Sequence, residues 1–220
     1  MNLKPDPEPL FERIHRRYRL LNSILSLGLD RCWRRSAVAA LNLKTGDTLL
    51  DVGSGPGDMM RFGKLKRVVK IGLDPELKML RPCLRFGFAV AGSAEFLPLS
   101  DHSVSHLSAA FSVRNFNDRA AAFREFHRVL RSGGRGAIIE FSPPDRNFSG
   151  RLIRWYIRHV IPCAGSVISS DREAYRYLSR TIMEFPLPEL IEAELESSGF
   201  FEIRYRRLIG EVTCLYSFKR

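Results

Sequence analysis

Residues 49–57 read Leu49-Leu50-Asp51-Val52-Gly53-Ser54-Gly55-Pro56-Gly57, and a second apolar run, Ile71-Gly72-Leu73, ends in Asp74. An apolar strand that delivers an acid to its carboxyl end and then meets three alternate glycines leaves few folds open. Glycine lets the backbone turn tightly beneath a ligand where a Cβ would obstruct it. About twenty residues further on, a carboxylate ending the next strand suits the two hydroxyls of a ribose. Together they predict a nucleoside pocket at the carboxyl edge of a parallel sheet. Its expected lining is Asp51, Gly53, Ser54, Gly55, Pro56, Gly57, Asp74 and Pro75. The dinucleotide fingerprint has the different spacing Gly-x-Gly-x-x-Gly and brings amides to a pyrophosphate. Here Asp51 and Asp58 flank the glycines, and carboxylates repel a pyrophosphate but attract a sulfonium and an ammonium. No Gly-Lys-Ser/Thr follows, so the turn is not a P-loop. The pattern favours S-adenosylmethionine over NAD.

The rest of the chain supplies the layers such a pocket needs. Leu10, Ile14, Tyr18, Leu21 and Leu25 recur at helical spacing, and a second helix is expected over Asp30–Leu41 with Asp30 as its N-cap. Strands are expected at 47–52, 68–73, 87–91, 104–110 and 134–141, and helices at 57–63, 75–84 and 118–131, the last closed by Gly133-Gly134. Alternation of this kind predicts an α/β fold with a mostly parallel sheet and helices on both faces. A helix at 187–198 and apolar-alternating runs at 201–208 and 211–218 follow, expected as a closing antiparallel pair. Residues 142–185 make too long a connection for a plain loop. They are expected to form a lid whose Phe148, Leu152, Ile153, Trp155, Tyr156 and Ile157 cover an apolar guest.

At 220 residues the chain has length for one domain with a substantial core, and 45% hydrophobic with 27% charged residues are globular values. The expected organisation is a single domain over 1–220. Residues 1–42 carry helices over the substrate site, 43–141 the cofactor core, 142–185 the lid, and 186–220 the closing helix and strands. No apolar run reaches the ~20 residues of a membrane helix, and the first residues lack a signal-peptide core, so a cytoplasmic location is expected. Cys32, Cys83, Cys163 and Cys214 are scattered without a Cys-x-x-Cys, which reads as buried free thiols. The five histidines show no ligand spacing, and no metal is expected. The net charge of +11 clusters in Arg13, Arg16, Arg17, Arg19, Arg31, Arg34 and Arg35, with further groups at Lys64/Lys66/Arg67/Lys70, Arg151/Arg154/Arg158 and Arg204/Arg206/Arg207. Such patches attract nucleic acid or anionic headgroups alike.

Further stretches resemble one family over nearly the whole chain. Tyr18-Arg19-Leu20-Leu21-Asn22 with Trp33-Arg34-Arg35, Ser93-Ala94-Glu95-Phe96-Leu97-Pro98, Phe111-Ser112-Val113-Arg114-Asn115, Arg128–Arg135, Glu140-Phe141-Ser142 and Asp171-x-x-x-Tyr175-Arg176-Tyr177-Leu178 are similar to the ubiquinone/menaquinone biosynthesis C-methyltransferases. The resemblance implies a Rossmann-like class I methyltransferase with a seven-stranded sheet and an antiparallel last strand. It implies S-adenosylmethionine as cofactor, with Ser93, Ala94 and Glu95 against the adenine and Ala110 and Phe111 near the methionine end. It implies a prenylated quinol as substrate. Arg19, Pro56, Ser93, Ala110 and Ser112 depart from the residues usual in that family.

Carbon methylation requires an aligned in-line displacement and a ring hydroxyl that is losing its proton. A phenol with pKa near 10 ionises at a cost that a neighbouring cation lowers. Arg114 is the candidate for that cation, with Asn115 and Tyr18 positioning the ring oxygen or a water. A quinol with a prenyl tail lives in a bilayer, so the arginine clusters are expected to dock the protein peripherally on anionic lipid. A homodimer is left open. Three alternatives stand beside this reading: another phenolic or acid acceptor, RNA, and a cofactor-binding relative without turnover. RNA is disfavoured because no Asn/Asp-Pro-Pro-Tyr/Phe motif is present.

Overall fold

The computed structural model describes residues 26, 28–62, 67–145, 147–160, 172–208 and 212–220. Tyr18 and its helix stripe, Lys64, Lys66, Cys163, Asp171 and Gly210 lie outside these residues, and for Ser149 and residues 172–175 only the backbone is described.

Seven strands form one sheet: β1 (Thr48–Val52), β2 (Val69–Asp74), β3 (Phe88–Ala91), β4 (Val104–Ala110), β5 (Leu130–Phe141), β6 (Phe201–Arg207) and β7 (Thr213–Lys219). Their order is β3-β2-β1-β4-β5-β7-β6. The five strands from β3 to β5 pair in parallel, and β7 alone runs antiparallel, against both β5 and β6. This is the sheet expected from the alternation of elements.

The helices are α1 (Asp30–Leu41), α2 (Asp58–Phe62), α3 (Leu77–Leu80), α4 (Arg119–Val129), α5 (Phe148–Trp155), α6 (Arg172–Glu184) and α7 (Pro188–Ser197). Strand side chains alternate between two cores, as the pleat requires. Leu50, Val52, Ile138, Tyr216 and Phe218 pack with Phe123, Phe126 and Val129 of α4 and Ile191 and Leu195 of α7. Leu49, Ala137, Ile139 and Leu215 turn the other way, onto Trp33, Ala37 and Leu41 of α1 and Met59 of α2. Helices of 11 or 12 residues are marginal in isolation, so burial holds them here. Each buried Phe or Leu contributes on the order of 2 kcal/mol.

Several expectations are corrected. Asp30 does not cap α1. It is the first helical residue, and its N–H donates to Ser26 Oγ at 3.3 Å. The helix expected over 75–84 is one α-turn followed by a 3-10 segment at Arg81–Arg85, where Pro82 has no N–H to continue the ladder. Gly133-Gly134 does not close a helix. The helix stops at Val129, and the chain enters β5 directly, with Gly133 at φ +73° inside a register shift opposite Val104 and His106. Of the four cysteines, Cys32 is exposed while Cys83 and Cys214 are buried and free. The described residues of the stretch 142–185, expected as a lid, are largely helical, over Phe148–Trp155, Tyr156–Val160 and Arg172–Glu184. In it Ile157 packs with Ile182, with Ile153 and Tyr156 against them, whereas Phe148, Leu152 and Trp155 face outward. None of these six lines the cavity described next.

Candidate active site

The chain runs from β1 out to β3 and then returns to β4 on the other side of β1. That reversal leaves a crevice beyond the carboxyl ends of β1 and β4, where open α/β sheets take their ligands. A cavity of about 500 Å³ occupies it. Of the expected residues, Gly53, Ser54, Gly55, Pro56, Asp74, Pro75, Ser93, Ala94, Glu95, Ala110, Phe111 and Asn115 line this cavity. Asp51, Gly57 and Arg114 are not among its lining residues.

The turn after β1 has the conformation its glycines permit. Gly53, Gly55 and Gly57 all adopt left-handed backbone, at φ +65°, +50° and +82°. A Cβ on Gly53 would also collide with the Ser112 side chain, whose Oγ donates to Val52 O at 3.0 Å. The turn therefore packs against the segment leaving β4, with no space for a larger residue at Gly53.

Two acids anchor the pocket, in different ways. Asp51 pairs in register with Ser108 of β4, which places Ser108 Oγ to donate to Asp51 Oδ1 at 2.6 Å. Asp51 Oδ2 is buried with no hydrogen-bond partner among the described residues. Burial pushes this carboxyl up to about 7, against the lowering effects of the Ser108 bond and the Arg34 charge. Asp74 is oriented by two amides: Gly55 N–H donates to Oδ2 at 2.9 Å and Glu76 N–H to Oδ1 at 3.0 Å. Its carboxyl is also raised, chiefly by burial. Each oxygen retains lone-pair capacity for a further donor.

Glu95 ties the far side together. It is hydrogen-bonded to the Ser93 hydroxyl, and its Oε1 accepts from Asn117 N–H at 2.7 Å. One carboxylate thus joins the loop after β3 to the turn after β4.

That turn carries the expected catalytic pair. Phe111 takes a left-handed φ of +62°, an uncommon and strained setting for an aromatic residue, while its N–H donates to Ile139 O at 2.8 Å. Arg114 is buried and ion-paired: Nη1 lies 2.6 Å from Glu140 Oε1 and 2.7 Å from Phe111 O, and Arg114 N–H donates to Glu140 Oε2 at 3.1 Å. Its guanidinium also sits 5.4 Å from the Phe141 ring centre. Asn115 reaches the cavity, and its Oδ1 accepts from Tyr177 Oη of α6 at 3.2 Å. Burial raises the Tyr177 phenol, so it is a neutral donor at physiological pH. Tyr18 lies outside the described residues.

Several lining residues were not among the expected site residues, including Asp58, Glu76, Asn117 and Arg34. Arg34 belongs to the amino-terminal arginine cluster in sequence, yet its neighbours Arg31 and Arg35 are exposed while Arg34 is buried against Phe111, 5.2 Å from the ring centre. The signal was present in the spacing: Arg34, Ala37 and Leu41 fall at helical positions on the buried side of α1.

A model of the ubiE/COQ5 methyltransferase family matches residues 6–219. The ubiquinone/menaquinone biosynthesis C-methyltransferase UbiE of Syntrophotalea carbinolica is 39% identical, over 96% of this chain and 93% of that protein. The demethylmenaquinone methyltransferase of Thermotoga maritima is 36% identical over 94% and 93%. Among solved structures, a SAM-dependent methyltransferase of Thermotoga maritima superposes with a TM-score of 0.69 at 21% identity, covering 96% of this chain and 98% of that one. The [4+2]-cyclase SpnF does so at 0.70 and 14% identity, covering 97% and 95%. The fold is therefore shared with a protein named for a different reaction, and the sequence match carries the assignment. With a family match running through every element that builds the cavity, the chain belongs to the ubiE/COQ5 methyltransferase family.

Proposed function

We propose that this methyltransferase sets a methyl group on a ring carbon of a reduced, prenylated quinol, with demethylmenaquinol and the methoxy-benzoquinol as the candidate rings. The observation that carries the reading is the extent of the family match, residues 6–219, together with relatives named for that chemistry. S-adenosylmethionine, when bound, supplies an electrophilic methyl on a sulfonium. The residues present fit it: a turn of three left-handed glycines, Asp74 held by amides, and an Asp51 oxygen unpartnered among the described residues. In this reading Asp74 takes the ribose hydroxyls, Ser93, Ala94 and Glu95 border the adenine, and Ala110, Phe111 and Asp51 surround the amino-acid end.

For the acceptor, alignment and exclusion of water are the main requirements. Asn115 faces the cavity and is assigned the ring hydroxyl, with the Tyr177 hydroxyl fixing its amide. Arg114 is assigned a supporting electrostatic role. Glu140 offsets much of its charge, so its effect on a developing phenolate is smaller than that of a lone cation. By bonding Phe111 O it also holds the 113–115 turn that presents Asn115. Tyr18 is assigned to the ring on its motif position alone.

Among the described residues no helix is long and apolar enough to cross a membrane. A peripheral contact is supported by α5. Phe148, Leu152 and Trp155, spaced at i, i+4 and i+7, are 78%, 62% and 57% exposed, with Arg151 and Arg158 exposed beside them. An apolar stripe between arginines fits an anionic bilayer surface, where the tail of the substrate lies.

The test is incubation of the full chain with methyl-labelled S-adenosylmethionine and each reduced quinol carrying a short prenyl tail. Label on a ring carbon is expected. Cofactor binding with no label on either ring would move the acceptor to another phenol or acid.

A further inference from the structure

Arginines that stand far apart in the chain gather on one side of the sheet. Leu49 packs toward α1, and Asp51, two residues on, faces the same way and is in register with Gly72. Met60 of α2 and Cys83 of the 3-10 segment Arg81–Arg85 lie over Gly72. Phe141 meets Trp33 of α1 edge-on and packs with Ile157, which brings α5 and the turn after it to that side too. At the far edge, Ile203 and Tyr205 of β6 join the α4–α7 core, so the alternate Arg204 and Arg206 turn toward the α1 side.

The outer surface of these elements is basic. Arg31 and Arg35 of α1, Arg81 and Arg85, and Arg151 and Arg158 are exposed, and no salt bridge among the described residues involves them. The acids within α1 and α2, Asp30 and Asp58, are partly buried. Beside Arg81 and Arg85, Leu77 and Leu84 are 68% and 61% exposed, which repeats the pairing of apolar side chains with arginines on α5. Leu77–Arg85 joins β2 to β3 whereas α5 follows β5, so the two apolar ridges stand about 14–19 Å apart across the sheet. The opposite side is acidic: α7 carries Glu189, Glu192, Glu194 and Glu196 with no Lys or Arg, and Arg119 and Arg128 of α4 are tied to carboxylates. A basic face with two apolar ridges and an acidic back complements an anionic bilayer. A nucleic acid would engage the arginines but leave Leu77 and Leu84 in water. We propose that the whole α1 side of the sheet lies on the bilayer, with Leu77–Arg85 as a second anchor beside α5 and the α4–α7 side turned to solution. The inference rests on the peripheral contact read from α5 and is independent of which quinol is methylated.

Vesicle flotation and site-specific fluorescence on the full chain test it. Arg81→Glu/Leu84→Ser lies outside the cavity lining and is expected to weaken partitioning onto anionic vesicles by roughly 10- to 100-fold, while turnover of a short-tailed, water-soluble quinol persists. A polarity-sensitive fluorophore on the exposed Cys32 of α1, in a Cys163→Ser background where Cys83 and Cys214 are buried, is expected to shift to the blue on anionic vesicles and to be quenched by brominated lipid. The same fluorophore on Glu196→Cys of α7, with Cys32→Ser added, is expected to report water throughout. Vesicle binding with an unshifted label at position 32, or with a shifted label at position 196, overturns the proposal and leaves the peripheral contact standing. An Arg81→Glu/Leu84→Ser protein that floats like wild type also overturns it, confining the contact to α5. A wild type that stays at the bottom with anionic vesicles, whether or not it binds transfer RNA, overturns both the proposal and the peripheral contact, while label transfer to the quinol ring reads the methylation separately.

Discussion

Asp51 shows how the fold sets a charge that composition leaves open. Its carboxyl is raised from an ordinary 3.8 to about 7 by burial, so between those values the folded chain holds a proton that the unfolded chain has lost. Stability attributable to Asp51 is therefore greatest at low pH and falls as pH rises through roughly 4 to 7, by up to about 4 kcal/mol. Urea unfolding across that range is expected to show a shallower fall for Asp51→Asn, which stays neutral, and an unchanged slope would mean that other groups govern it. Cofactor binding should reverse the balance, because an ammonium beside Asp51 favours the ionised form. Titrations at pH 7 in buffers of different ionisation enthalpy are expected to report net proton release on cofactor binding. Asp74→Ala is expected to weaken S-adenosylhomocysteine by roughly 100-fold in the same titration, since it removes a charged acceptor for two hydroxyls.

At the scale of elements, the bond between β5 and the turn after β4 holds the Phe111–Asn115 segment in place. The Arg114 and Glu140 side chains are 5% and 0% exposed, and Glu140 alone receives the Arg114 backbone amide, its guanidinium and the Phe141 amide. Removing one partner of a buried ion pair strands the other. Glu140→Gln is expected to cost about 3–5 kcal/mol in denaturant unfolding. The double variant Arg114→Met/Glu140→Gln should cost less than the sum of the two single changes. Strict additivity in that cycle would show that the two groups do not depend on each other. The acid at 140 and the arginine at 114 were readable as motif residues, but not as partners. They are 26 residues apart, and only the parallel pairing of β4 with β5 brings them together.

Over the whole molecule, the charge of +11 and the outward face of α5 bear on where the protein works. Arg31, Arg35, Arg151, Arg158, Arg204 and Arg206 are exposed, whereas Arg207 is bound to Asp145 at 2.7 Å and Arg34 is buried. The basic surface is thus smaller than the raw count implies. Flotation with anionic vesicles is expected to carry the wild type upward and to leave Phe148→Ser/Trp155→Ser largely at the bottom. Turnover of a short-tailed, water-soluble quinol should be preserved in that variant. Equal partitioning onto neutral and anionic vesicles would rule out the electrostatic part of the docking.

The sequence by itself determined the sheet and the nucleoside end of the site. Apolar runs ending in Asp51 and Asp74 and the glycine turn between them are local signals, because strand period, left-handed turns and strand-end acids are properties of neighbouring residues. Tertiary structure alone decided which charges are compensated. Glu140 neutralises Arg114, burial holds a proton on Asp51 against the pull of the Ser108 bond, and Arg34 is turned inward while its neighbours face solvent. It also split residues 148–157 into a packed face and an exposed one. These outcomes depend on pairings across the sheet and on the depth of burial, and neither is encoded within any single stretch of the chain.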